Sequence, residues 1–205
     1  MVKEIRIYIE GGGNTKNTKL LIHQGFSKFF RELAHKASSK KITWKIILSG
    51  SRNNAFRDFK IALKTHPKAF NILLVDAEAS VVNKKACQHL KNLDKWDFAN
   101  LDDDQCQLMV QTMEAWLIAD INALKKFYGQ GFKEKSIPKN PNVEQIDKQQ
   151  LEPSLKAATR KTSKGEYHKI QHASKLLALL NVDKVRAAAP HCDRLFKVVN
   201  KIIVS

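Results

Sequence analysis

Apolar positions along the chain gather into short runs, and each run stops at glycine, proline or acidic residues. Ile5 to Glu10 (IRIYIE) is mostly apolar and β-branched and ends at Gly11-Gly12-Gly13, which predicts a strand closed by a tight turn. From Lys19 onward Leu21, Ile22, Phe26, Phe29, Phe30 and Leu33 recur at helical spacing. Thr43 to Leu48 (TWKIIL) repeats the plan: a strand, then Ser49-Gly50-Ser51, then a helix through Phe56, Phe59 and Leu63 that Pro67 closes. Asn71 to Val75 (NILLV) is apolar without interruption, the pattern of a strand covered on both faces, and it runs straight into Asp76-Ala77-Glu78. A polar stretch with Trp96 and the run Asp102-Asp103-Asp104 follows. Cys106 to Gln111 (CQLMVQ) then predicts a fourth strand, and Glu114 to Leu117 opens a helix.

Between Gly129 and Asp147 the chain is rich in proline, glycine and polar residues, so a loop or linker is expected there. Beyond it Gln149 to Thr159, Tyr167 to Leu180 and Asp183 to Val199 read as helices, the last interrupted by Pro190. The expected organisation is an α/β domain over residues 1–128, a linker over 129–147, and a basic helical extension over 148–205 packed on that domain. Strands alternating with helices predict a mostly parallel four-stranded sheet with helices on both faces. In such sheets ligands bind beyond the carboxyl ends of the strands. Those ends carry Glu10, Ser49-Gly50-Ser51, and the pair Asp76 and Glu78.

Charge sharpens this picture. Thirty-six Lys and Arg against twenty Asp and Glu leave 205 residues with a formal charge of +16. A polyanion is the natural partner for such a surface, because each neutralised phosphate releases a condensed counterion; the plain alternative is a basic surface that serves solubility. Cys87, Cys106 and Cys192 are widely spaced and form no CxxC pattern, so neither a disulfide framework nor a zinc site is expected, and a reducing cytoplasm fits. No stretch reaches the ~18 apolar residues of a membrane helix, and the N-terminus lacks a signal-like apolar region. The expectation is a soluble cytoplasmic protein without a membrane partner.

Glu10 stands at a strand end before three glycines. A carboxylate there can point into the cleft, while Gly11, Gly12 and Gly13 let backbone amides approach a phosphate closely, with Lys16 nearby; a plain glycine turn is the alternative. The spacing is that of neither a P-loop nor a dinucleotide fingerprint. Asp76 and Glu78, two apart on an extended segment, would point the same way and could face one ion. Mg²⁺ takes one or two carboxylates together with waters and phosphate oxygens, so Glu10, Asp76 and Glu78 make a candidate centre for Mg²⁺ or Mn²⁺. Ser51 and Arg52 could cradle a phosphate, against an ordinary N-cap serine with helix charges. Asp102, Asp103 and Asp104 are more simply a solvated run than ligands. The segment Arg160, Lys161, Lys164, Tyr167, His168 and Lys169 concentrates positive charge with an aromatic ring and a histidine. Lys164 could stabilise a leaving oxygen, His168 could move a proton and Tyr167 could stack on a base; basic helix ends and structural histidines are the alternative.

A strand ending in Glu-Gly, followed by an apolar strand ending in an Asp-x-Asp-like pair, resembles the Toprim pattern. More closely, IEGGGNTK, SGSRNNAFRDF, LLVDAE, DDDQCQLMVQTMEAWLIAD, YGQGF, KAATRKTSKGEYHK and KVRAAAP resemble the bacterial domain-of-unknown-function family numbered 4276, which is regarded as Toprim-like. The likeness spans nearly the whole chain. It implies a Toprim-like fold, a divalent metal, and a nuclease acting on DNA or RNA. It also implies an ABC-type ATPase encoded nearby, in a setting of anti-phage defence. Glu114 resembles a family position and is a further candidate ligand, with favourable helix-start charge as its alternative role. Glu78 departs from the Toprim pattern, which has Asp there, and its longer arm displaces the ion by about one bond length. A non-catalytic module that binds nucleic acid or the ATPase stands as the second reading, and a phosphotransferase or nucleotide sensor as a third.

Overall fold

The structure is a computed structural model that describes residues 2–13, 15–82, 85–98 and 101–205. Four strands, β1 (Glu4–Glu10), β2 (Thr43–Gly50), β3 (Phe70–Asp76) and β4 (Cys106–Met109), form one sheet in the order β2-β1-β3-β4. All three pairings are parallel. Around them, in chain order, lie α1 (Lys16–Phe29), α2 (Arg31–Ser39), α3 (Arg52–Thr65), α4 (Ala86–Asp94), α5 (Met113–Ala119), α6 (Ile121–Tyr128), α7 (Lys148–Thr159), α8 (Lys169–Leu177), α9 (Val182–Ala188) and α10 (Pro190–Val204). This is an α/β fold with a helical C-terminal extension, consistent with the Toprim-like expectation. No helix among the described residues is long and apolar enough to cross a membrane.

Alternation along the central strands sends side chains into two separate cores. Ile5, Ile7 and Ile9 of β1 and Ile72 and Leu74 of β3 point to one face, where Phe26, Phe29, Trp116, Leu155 and Phe196 fill a single apolar cluster. Tyr8, Leu73 and Val75 point to the other face and meet Phe59 of α3 and Leu90 of α4. The first cluster draws on α1, α2 and every C-terminal helix, so the extension builds one face of the sheet. Helix α1 crosses α8 at Gly25, where an added Cβ would lie 2.7 Å from the Ser174 carbonyl oxygen.

Several elements differ from the sequence reading. The long helix from Lys19 divides at Phe30, whose backbone leaves helical geometry between α1 and α2. Helix α4 falls in the stretch read as polar: it is nine residues long and buries only Ala86 and Leu90, too short a stripe for periodicity to reveal. Pro190 does not kink a helix but starts one, at the first turn of α10, where its missing N–H costs nothing. The segment 129–147 carries two 3-10 turns, Glu134–Ser136 and Val143–Gln145. The cysteine expectation is overturned. Cys87 and Cys106 form a disulfide with Cα atoms 5.6 Å apart, because the start of α4 lies against the start of β4; Cys192 is free and buried.

Candidate metal centre

Strands β1 and β3 are neighbours, with Ile9 opposite Leu74, so their carboxyl ends lie side by side. Glu10 and Asp76 therefore meet at one edge. One carboxylate oxygen from each of Glu10, Asp76 and Glu78 lies within 4.8 Å of the others. For Asp76 and Glu78 the convergence has a different cause from the extended alternation expected. The chain leaves the strand after Asp76, and Glu78 adopts a left-handed backbone with φ 64°, its N–H donating to the Gln111 carbonyl at 2.8 Å. A non-glycine residue in that region stores local strain.

Each carboxylate has a defined set of partners. Glu10 accepts from the Asp76 backbone N–H and from Arg52 Nη1, both at 3.3 Å. Asp76 is 6% exposed and accepts from the Met113 N–H at 2.8 Å, the first residue of α5. Lys169 Nζ lies 3.8 Å from Asp76 and 3.3 Å from Glu114. Glu78 pairs with Lys148 at the start of α7. Burial pushes the Asp76 carboxyl up to about 8 in spite of Lys169, and the nearby Glu114 and Glu10 charges push the same way. Burial also raises Glu10, against the opposing pull of Arg52. The adjacent acids hold the Lys169 ammonium well above the usual lysine range although its burial opposes this.

A cleft of about 270 Å³ opens at this edge. It is lined by the glycine turn Gly11–Gly13 with Gly50, by the apolar Ile22, Met109, Met113 and Ile170, and by the charged Glu10, Asp76 and Lys169. The Gly11 N–H donates to the Gly50 carbonyl at 2.7 Å, tying the turn to β2. Gly12, at φ 87°, lies so close to Lys19 that an added Cβ would sit 3.0 Å from that residue's Cα. The turn is therefore shaped by close backbone packing as well as by φ. The Thr18 hydroxyl donates to the Gly12 carbonyl.

Other residues proposed from the sequence have different surroundings. Arg52 does not present a free fork to a phosphate: Nε and Nη2 hold Asp94 of α4, each at 2.8 Å, and Nη1 donates to the Asp76 carbonyl as well as to Glu10. Its guanidinium also lies 5.2 Å from the Trp96 ring. Ser51 caps α3 by accepting from the Asn54 N–H at 3.3 Å. Tyr167 cannot stack on a base, being 2% exposed with its hydroxyl on Glu114 at 3.1 Å. Glu114 itself is buried beneath the cleft, bonded to Tyr167, Thr112 and Lys169, outside the three-carboxylate cluster. Lys164 packs over Phe127 with Nζ 5.4 Å from the ring centre, and His168 caps α8; neither lines the cleft. Lys16, Arg160 and Lys161 are exposed. The Asp102–Asp104 run serves the fold: Asp102 caps a 3-10 turn, Asp103 accepts from the first amides of α4, and Arg194 pairs with Asp103 and Asp104.

Sequence reasoning missed Asp94, Lys148 and His89. His89 Nε2 lies 2.8 Å from the carbonyl of Ala77, the residue between Asp76 and Glu78. None of these carries a local motif that would have marked it.

A family model described as a domain of unknown function (DUF4276) matches residues 9–200, a span that includes every cleft residue named above. No curated protein and no solved structure matches the chain.

Proposed function

The chain belongs to this DUF4276 family, and from that premise we propose that it is a Toprim-like, divalent-metal-dependent phosphodiester hydrolase acting on DNA or RNA. The carrying observation is the convergence of Glu10, Asp76 and Glu78 within 4.8 Å at the carboxyl ends of adjacent parallel strands. The donor set fits a hard divalent cation, which prefers carboxylate oxygens. Glu10, Asp76 and Glu78 would hold Mg²⁺ or Mn²⁺. Such an ion, when bound, supplies Lewis-acid charge for a phosphoryl oxygen and makes a bound water a nucleophile. The glycine turn lets the backbone approach a phosphate, Lys169 offers an ammonium in the cleft, and the exposed Lys16, Arg160 and Lys161 add to the +16 surface that attracts a polyanion. With this reading we also propose the ABC-type ATPase partner, and the defence setting, that the family resemblance implies.

One observation favours a second reading. Each of the three carboxylates already has a cationic partner: Arg52 for Glu10, Lys169 for Asp76 and Lys148 for Glu78. A cluster neutralised by its own side chains also suits a non-catalytic module that binds nucleic acid or the ATPase. The deciding experiment incubates the protein with plasmid, linear duplex, single-stranded DNA and tRNA in Mg²⁺, Mn²⁺ or EDTA, beside the Glu10→Ala, Asp76→Asn double variant. Metal-dependent cleavage lost in the variant supports the hydrolase. Salt-sensitive binding without cleavage, alone and with the ATPase, supports the module.

A further inference from the structure

We propose that the cleft receives one nucleotide unit with its base against the apolar wall, so that the substrate is single-stranded or a frayed end and not continuous duplex. This rests on the metal reading above, which supplies the contacts to the phosphate.

The cleft lining is chemically mixed. Glu10, Asp76, Lys169 and the glycine turn supply its polar groups, while Ile22 of α1 and Ile170 at the start of α8 join Met109 and Met113 beside Asp76 to supply an apolar surface. A site for phosphate alone has no use for that surface. A nucleotide matches both kinds of lining, because its phosphate belongs with the carboxylates and amides and its base is a flat apolar ring with polar edges. Ile170 is 44% exposed, a large aliphatic side chain at the rim. Exposed apolar surface beside a charged centre acquires a purpose if a base covers it. At about 270 Å³ the volume falls at the small end of ligand pockets, which start near 300 Å³, so it takes one unit.

The same wall implies little preference among bases. Met side chains are flexible and polarisable and make favourable contacts with any aromatic ring. The polar groups nearby are already engaged: the Thr18 hydroxyl by the Gly12 carbonyl, and Lys169 by Asp76 and Glu114. Thr18 and Lys169 are the side-chain donors among the described lining residues, and the half-exposed Lys169 ammonium is the group this reading turns to the phosphate. In a duplex the base must first leave the stack, which biases the site towards unpaired strands.

The test measures Mn²⁺ binding by electron paramagnetic resonance, then the affinity of Mn²⁺-loaded protein for dAMP, AMP and ribose 5-phosphate by calorimetry. Wild type is compared with Ile170→Asp, with Ile61→Asp as a control on the opposite side of the sheet. Both positions are exposed, so folding is preserved, and circular dichroism verifies it. The expected result is at least tenfold tighter binding of both nucleotides than of ribose 5-phosphate, an excess abolished by Ile170→Asp and kept by Ile61→Asp. Tighter binding of only one of dAMP and AMP keeps the base pocket and identifies the sugar. Normal Mn²⁺ binding with equal affinity for nucleotides and ribose 5-phosphate, or an excess that survives Ile170→Asp, overturns this proposal alone. Absent Mn²⁺ binding overturns it together with the metal reading.

Discussion

Lys169 Nζ stands 3.8 Å from the Asp76 carboxylate, a contact that joins the start of α8 to the end of β3. The same ammonium lies 3.3 Å from buried Glu114, so one cation answers two acids. Lys169→Met leaves both unanswered. Removing one partner of a fully buried pair costs about 3–5 kcal/mol. Because the lysine side chain is half-exposed, the expected loss in EDTA is smaller, about 1–3 kcal/mol. Mn²⁺ should bind the variant more tightly than wild type, since a competing charge is gone. Urea denaturation with and without Mn²⁺ reads both effects, and weaker Mn²⁺ binding would contradict the assignment.

Arg52 holds the site together from behind. Its bidentate grip on Asp94 and its bonds to Glu10 and the Asp76 carbonyl leave no donor pair for a phosphate. Arg52→Ala is expected to lower stability by about 2–4 kcal/mol and to weaken Mn²⁺ binding. The slope of nucleic-acid affinity against salt concentration should stay unchanged. A slope reduced by about one ion would show that the residue touches phosphate after all.

Burial raises the Asp76 carboxyl from 3.8 to about 8 in the folded chain. Below about pH 4 the group is protonated folded or unfolded and costs nothing. Between those values the unfolded chain ionises while the folded chain resists, so stability falls as pH rises, by at most ~1.4 kcal/mol per pH unit from this group. The loss is complete above about 8. In EDTA the urea midpoint should therefore decline from pH 5 to pH 8 more steeply for wild type than for Asp76→Asn. Saturating Mn²⁺ should flatten the wild-type curve. Parallel curves for the two proteins in EDTA would remove Asp76 as the cause.

Gly25→Ala offers a test remote from any charge. In an ordinary helix the change stabilises by about 1 kcal/mol. Here the new methyl meets the Ser174 backbone at 2.7–2.9 Å, so α1 and α8 must separate. The expected outcome is a net destabilisation of about 1–3 kcal/mol and weaker Mn²⁺ or nucleotide binding, because α8 carries Lys169 and Ile170 into the cleft. A stabilised variant would show that the two helices have room to spare.

The strand-end acids were legible because an apolar run followed by a carboxylate is a local pattern, and parallel βαβ topology then brings such ends together. The same logic located the glycine turn and the four strands. What escaped was set by tertiary contact. Asp94, Lys148 and the true roles of Arg52 and Tyr167 depend on which helices dock against the sheet, and no spacing along the chain encodes that. Helix α4 escaped because two buried residues in nine make no periodic signal. The Cys87–Cys106 pair escaped because α4 itself did. Glu78 was placed beside Asp76 on the assumption of extended backbone, whereas a left-handed turn brings its carboxylate there.

The order in which the site's parts leave the ribosome follows from the fold. Glu10, Asp76 and Glu78 emerge early, whereas Lys148 and Lys169, which balance two of them, lie far downstream, as do the helices that complete the larger core. A nascent chain that ends after β4 has Arg52 for Glu10 but lacks the lysine partners of Asp76 and Glu78, and the core face that α1 and α2 begin is still without its C-terminal helices. Synthesis is vectorial, and early segments wait for later ones. The cleft therefore cannot form before α8 seats against Gly25, and a prematurely terminated chain carries the ligands of the site without the site.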